Sequence, residues 1–143
     1  MSLTQLTERN RATVAYFLEQ THSGHFAAVD ETVAEGIVTH GFPCHSPQSR
    51  AQYKAFFEGF NAAFSNMEYR TLALVADETH VAARFFVGVD HTGEFNGIAP
   101  TGKRVEFTGQ AIYRLENGLI AETWLQLDAV SFLGQIGAIP LAA

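Results

Sequence analysis

Residues 104–127 read RVEFTGQAIYRLENGLIAETWLQL, and they decide the fold. Two runs rich in β-branched and aromatic residues, 104–115 and 119–127, flank Asn117-Gly118. Asn-Gly between two such runs is the strongest short hairpin signal, because both residues tolerate the positive φ of a type I′ turn. A two-residue turn pairs Glu116 with Leu119. Carried down the hairpin, that register sets Ala111 opposite Trp124 and Phe107 opposite Asp128. Glu122, Trp124, Gln126 and Asp128 then share one face, and Thr123, Leu125 and Leu127 the other. Apolar residues fall on both faces, so both are expected to be covered, one by helices and a pocket and the other by a second copy of the chain.

Outward from the hairpin, 69–76 and 80–89 are two further strand patterns, and a glycine-rich loop spans 91–103. After the hairpin, Val130, Leu133 and Ile136 recur at helical spacing and Gly137 can stop that helix. The first half reads as helices. Ser2 and Gln5 form a capping box for a first helix ended by His22-Ser23-Gly24. A second, shorter helix or a turn is expected over 26–33. Ser46-Pro47 is expected to open a third helix, with Tyr53, Phe56, Phe57, Phe60 and Phe64 along one aromatic face. Helices followed by antiparallel strands indicate an α+β fold, read as one domain over residues 1–143.

Bulk properties narrow the function classes. Twelve phenylalanines in 143 residues must fill a core, line a pocket or form an interface. A net charge of −6 argues against nucleic-acid and anionic-membrane partners, which require a basic face. A single cysteine, Cys44, excludes an internal disulfide and a CxxC metal knuckle. With a polar N-terminus and no apolar run of spanning length, the expected location is cytoplasmic.

Several motifs dissolve on inspection. Gly97 to Lys103 has P-loop spacing, but Arg104 stands where Ser or Thr should reach magnesium, and a strand rather than a helix follows. His40 and His45 bracket Cys44, yet no third ligand and no HExxH pattern accompany them, so no metal is expected. His22 and the other histidines read as surface or loop residues, with His40, at the end of the apolar run 36–39, the one retained. Neither Ser131 nor Cys44 has an assignable base for a nucleophilic triad.

Asp128 ends the last strand on the face of Trp124. It can cap the final helix through the amide of Val130 or Ser131. It can also serve as an acid or base if buried among aromatic rings. The residue types alone favour the cap. Glu122, on the same face roughly 20 Å away at about 3.4 Å per residue, cannot share its proton.

The stretch from 91 to 137 resembles the SnoaL-like polyketide cyclase family. The similarity rests on His91-Thr92-Gly93-Glu94-Phe95-Asn96-Gly97, Pro100-Thr101-Gly102-Lys103, Arg114, Asn117-Gly118-Leu119-Ile120, Glu122-Thr123-Trp124, Asp128 and Gln135-Ile136-Gly137. His40 and the aromatic helix into Phe64 match as well, with Ser65-Asn66 where the family often has Pro-Asp. The resemblance implies a cone-shaped barrel, a strongly bent mixed sheet wrapped around N-terminal helices, as in ketosteroid isomerase. It implies a homodimer, and a small apolar or aromatic ligand. It implies cofactor-free, metal-free acid/base catalysis, such as an aldol condensation, with Asp128 as acid/base. His40, Trp124, Gln126, Phe107, Phe60 and Phe56 would line the pocket, and His91 its mouth. The family's usual second partner is a histidine on the penultimate strand, and 104–115 contains none. A binding module of the same fold is the alternative, and an interaction subunit a third.

Overall fold

The computed structural model describes residues 1–140. Helix α1 (Leu3–His22) begins at the capping box: Ser2 Oγ accepts from the Gln5 amide at 3.1 Å, and Gln5 Oε1 accepts from the Ser2 amide at 2.8 Å. Helix α2 (Ala27–Thr32) leads into strand β1 (Val33–His40). Helix α3 (Arg50–Ala63) follows a loop, and four strands come next: β2 (Phe64–Ala76), β3 (His80–His91), β4 (Arg104–Glu116) and β5 (Leu119–Leu127). Helix α4 (Ala129–Gln135) closes the order.

Two local expectations shift. The α3 cap is Ser49, whose hydroxyl accepts from the Gln52 amide at 3.1 Å, and Ser46-Pro47 lies in the preceding loop. Phe64 leaves the helix to begin β2, so the aromatic stripe ends at Phe60.

The sheet order is β1-β5-β4-β3-β2, with β1 parallel to β5 and every other pair antiparallel. The α+β reading holds, with a curved, unclosed sheet and helices toward the N-terminus. Register breaks in β1–β5, β2–β3 and β4–β5 supply bends of the kind that curl a sheet. β1 and β2 are the two edges. The chain between them, which includes α3, must therefore cross the whole sheet. It crosses on the inner face and lays its aromatic stripe over the strands.

The hairpin corrects the expected register. Asn117 and Gly118 take φ of 53° and 79°, as a type I′ turn demands, and Glu116 does pair with Leu119. A bulge at Ala121 then inserts one residue. Leu115 pairs with Ile120, but Arg114 pairs with Glu122, so Ala111 faces Leu125 and Ile112 faces Trp124. Thr123, Leu125 and Leu127 look inward, beside Tyr113 and Ala111. Trp124 and Gln126 look outward, in line with Ile112 and Gln110. The core is built from α1, α3 and this inner face, with Val14, Phe17, Tyr53, Val81, Tyr113 and Ile120 all buried. Phe17 stands at its centre, its ring 5.5 Å from Tyr53, 5.7 Å from Phe57 and 5.8 Å from Tyr113.

Among the described residues no helix is long and apolar enough to cross a membrane.

Candidate functional site

Between the C-terminal turn of α1, the stripe of α3 and the inner sheet face lies a cavity of about 70 Å³. Its wall is mostly rings and aliphatic chains, among them Phe42, Phe56, Phe57, Phe60, Phe107 and Leu125. Gly109 keeps the floor low. A Cβ there would come within 2.8 Å of the Phe85 ring and 2.7 Å of Leu127, so only glycine lets those side chains meet under the cavity.

A few polar groups interrupt this wall: Thr21, His22, Tyr53, Asn61, Tyr113 and Thr123. Thr21 is spent locally, its hydroxyl donating to the Phe17 carbonyl at 2.7 Å. Thr123 is 1% exposed, and its Oγ1 has no hydrogen-bond partner among the described residues. An unpaired buried hydroxyl beside a cavity is costly when the cavity is empty and valuable when a ligand pairs with it. Burial pushes the phenols of Tyr53 and Tyr113 far up, so both remain protonated donors. Desolvation pushes the pKa of His22 down to about 4, against the opposing hydrogen bond to the Leu18 carbonyl.

A second, outer cleft of about 410 Å³ opens next to the cavity. The 43–47 loop, one side of α3 and residues 94–96 form it. Phe56 and Phe60 belong to the walls of both spaces and form the partition between them. In the cleft, Cys44 has φ of 68°, and its Sγ accepts from Asn96 Nδ2 at 3.0 Å.

The residues singled out from the sequence fall into three places. Phe56, Phe60 and Phe107 line the cavity. His40, Trp124 and Gln126 lie on the outer sheet face instead, Trp124 and Gln126 through the Ala121 bulge and His40 through its pairing with Trp124. His40 stacks on Trp124 at 5.4 Å and bonds Glu122 through Nε2 at 2.8 Å. Arg114 Nε reaches the other Glu122 oxygen at 3.2 Å, and the two contacts, His40 foremost, hold the Glu122 carboxyl below its usual range. His91, expected at the pocket mouth, is fully buried at the end of β3. It stacks on Phe64 at 5.0 Å, and its Nδ1 accepts the Thr101 amide at 3.2 Å, pinning the 92–103 loop.

Asp128 is exposed and serves as the N-cap of α4, its Oδ1 accepting the Ser131 amide at 3.2 Å. It directly follows Leu127, which lines the cavity. Among the described residues no group of three or more His, Cys, Asp or Glu side chains gathers as a metal site.

Sequence reasoning missed the polar half of the cavity. The C-terminal position of His22 on α1 read as a helix stop. Thr123 and Tyr113 read as ordinary strand residues. Only the bulged register brings Thr123 and Tyr113 together on the inner face.

A bent five-stranded sheet over crossing helices, with an aromatic cavity between, defines the cone-shaped α+β class of the nuclear transport factor 2-like fold. The chain belongs to the SnoaL-like polyketide cyclase family, which it matches over residues 12–136. No curated protein matches it. Among solved structures it is similar to a SnoaL-like polyketide cyclase candidate from Jannaschia sp. CCS1, at 18% identity and a TM-score of 0.86, with 98% of this chain and 99% of that one covered. It is similar to IdmH, a polyketide cyclase candidate from Streptomyces antibioticus, at 29% identity and a TM-score of 0.74, covering 90% and 98%. It is also similar to AclR, a hydroxylase candidate from Streptomyces galilaeus, at 23% identity and a TM-score of 0.83, covering 96% and 86%.

Proposed function

We propose that this protein takes a small, apolar, oxygenated molecule into the aromatic cavity and performs cofactor-free acid/base chemistry on it. The reaction is an intramolecular aldol cyclisation or a related isomerisation or dehydration. The observation that carries this reading is the cavity wall: rings and aliphatic chains broken by Tyr53, Tyr113, Asn61 and the unpartnered Thr123 hydroxyl. Such a wall suits a ligand that is mostly hydrocarbon with a few oxygens in set places.

The cavity is smaller than the roughly 150 Å³ that accepts benzene. A ring-sized ligand therefore turns Phe56 and Phe60 aside and extends into the outer cleft. Donors on the wall meet carbonyl oxygens and stabilise the enolate as it forms. Asp128 is the proposed acid/base, at the chain end of the wall beyond Leu127. It would release the Ser131 amide, take a proton from the carbon next to a carbonyl, and return one to the aldol oxygen after the carbon–carbon bond has formed.

A second reading is favoured by the bond Asp128 already makes. If that carboxylate only caps α4, the cavity binds its ligand without chemistry. Turnover and binding of β-polyketone probes by Asp128→Asn and Asp128→Ala separate the two. Catalysis predicts lost turnover with binding retained in both variants. Full activity in both removes Asp128 from the mechanism.

The proposed partner is a second copy of the chain, seated on the outer sheet face. His40, Trp124, Ile112, Ala82 and Val75 form one row straight across that face. Ile112 is 46% exposed and Val75 67%, an apolar stripe that a partner sheet would cover.

A further inference from the structure

His22 occupies an unusual position for a histidine at a helix end. It lines the cavity, its ring stacked on Tyr69 at 4.2 Å with an interplanar angle of 20°. Phe57 meets it edge-on at 5.7 Å, and Phe85 lies 6.2 Å away. Three rings thus hold the imidazole in one plane.

The tautomer is held too. Nδ1 lies 2.7 Å from the Leu18 carbonyl oxygen, which can only accept, so Nδ1 carries the proton. The Thr21 hydroxyl, 3.4 Å from the same nitrogen, already donates to Phe17 and does not compete as a donor. With Nδ1 turned back to α1, the free edge of the ring presents Nε2. That nitrogen has no partner among the described residues, and in the neutral ring it holds a lone pair. The same crowding that stacks the ring also keeps it neutral across the physiological range, with a pKa near 4. A base that weak accepts a hydrogen bond without taking the proton.

The other polar groups of the cavity complement it. Protonated Tyr53 and Tyr113, the Asn61 amide and the Thr123 hydroxyl can all donate. Asn61, Thr123 and the phenols can also accept, but among the described nitrogen- and oxygen-bearing side chains of the wall His22 is the one whose free position is restricted to accepting.

Resting on the cavity reading above, we propose that His22 is a specificity-determining residue whose Nε2 accepts the hydrogen of a ligand hydroxyl, so the site selects phenols and enols over their O-alkyl ethers. In an enolised β-dicarbonyl, the enol hydroxyl meets His22 and the neighbouring carbonyl meets a donor. An ether has no hydrogen to give and would cover the lone pair without pairing it.

The test compares 2-naphthol with 2-methoxynaphthalene by fluorescence titration, in wild-type protein and in His22→Phe and His22→Gln. The wild type is expected to prefer the naphthol by about tenfold, the scale of one buried hydrogen bond. His22→Phe keeps a ring in place and removes the acceptor, so the preference falls to near unity while the ether binds as before. His22→Gln, with an amide oxygen in reach, keeps part of it. Equal wild-type affinities, or a preference unchanged in His22→Phe, overturns the assignment. Failure of both probes to bind the wild type sinks the cavity reading and this inference with it. Nitrogen NMR of ¹⁵N-histidine-labelled protein gives a readout that needs no ligand. A proton on Nε2 rather than Nδ1 in the free protein overturns the acceptor role and leaves the cavity reading standing.

Discussion

At the scale of single residues, two groups hold roles that their chemistry makes testable. His22 is neutral in the fold, and its pKa is lowered from 6.5 to about 4 because packed rings exclude the water that would solvate its charge. The unfolded chain therefore binds the extra proton first. Stability is full above pH 6.5, falls as pH drops toward about 4, and levels off below, by at most roughly 3 kcal/mol. Urea unfolding across pH 4–7 should show this slope in the wild type and lose it in His22→Gln. The carboxylates of exposed Asp77 and of half-buried Asp90 and Glu122 are held low by hydrogen bonds, chiefly from the Thr79 amide, the Asn66 side chain and His40 respectively. They contribute above their unfolded pKa values and lose that contribution at more acid pH, so the His22 window stands apart. Asp128 gives the second test. As a cap its removal in Asp128→Ala should cost about 1 kcal/mol, and Asp128→Asn much less, read from urea midpoints. A larger, equal loss in both variants would mean the carboxylate charge, and not the cap, matters to stability.

At the scale of elements, the hairpin of β4 and β5 does most to shape the site. Its turn demands positive φ at Asn117 as well as Gly118. Asn117→Val should therefore cost about 1–2 kcal/mol, the penalty of a β-branched residue in the left-handed region, measurable as a lower melting temperature. Asn117→Gly should cost little. One turn further on, the Ala121 bulge settles which side chains the cavity receives. Because side chains alternate along a strand, one inserted residue transfers a whole set from one face to the other. The regular register put Ile112 across from Thr123. The bulged one gives Thr123 and Leu125 to the cavity beside Tyr113 and Ala111, and sends Trp124 and Gln126 outside, where Trp124 pairs with His40. The hairpin and its turn were legible in Asn117-Gly118. The bulge was not, because Ile120-Ala121 carries no turn signal and both residues are buried only in the assembled sheet.

At the scale of the molecule, the outer face is the remaining question. A row of His40, Trp124, Ile112, Ala82 and Val75 suits a second sheet, and the dimer predicted from it should appear at twice the chain mass in sedimentation analysis. Ile112→Lys combined with Val75→Lys should return the monomer without loss of secondary structure, since both side chains are exposed within one chain. A wild-type monomer at high concentration would remove the dimer from the account.

The amino-acid sequence by itself determined the class of fold, the type I′ hairpin, the capping box of α1, the aromatic stripe of α3 and the acidic character of the chain. These depend on local periodicity, turn chemistry and composition, which each stretch carries in its own residues. Only the tertiary structure decided which histidine meets the cavity. His22 and Thr123 lie 101 positions apart, and a helix stop and a strand position show nothing of their shared cavity. His40 and Asp128, the more conspicuous residues in the sequence, were turned to the outer face and to a helix cap. The physical reason is that long-range packing, through one bulge and one helix laid across a bent sheet, selects the face each side chain occupies.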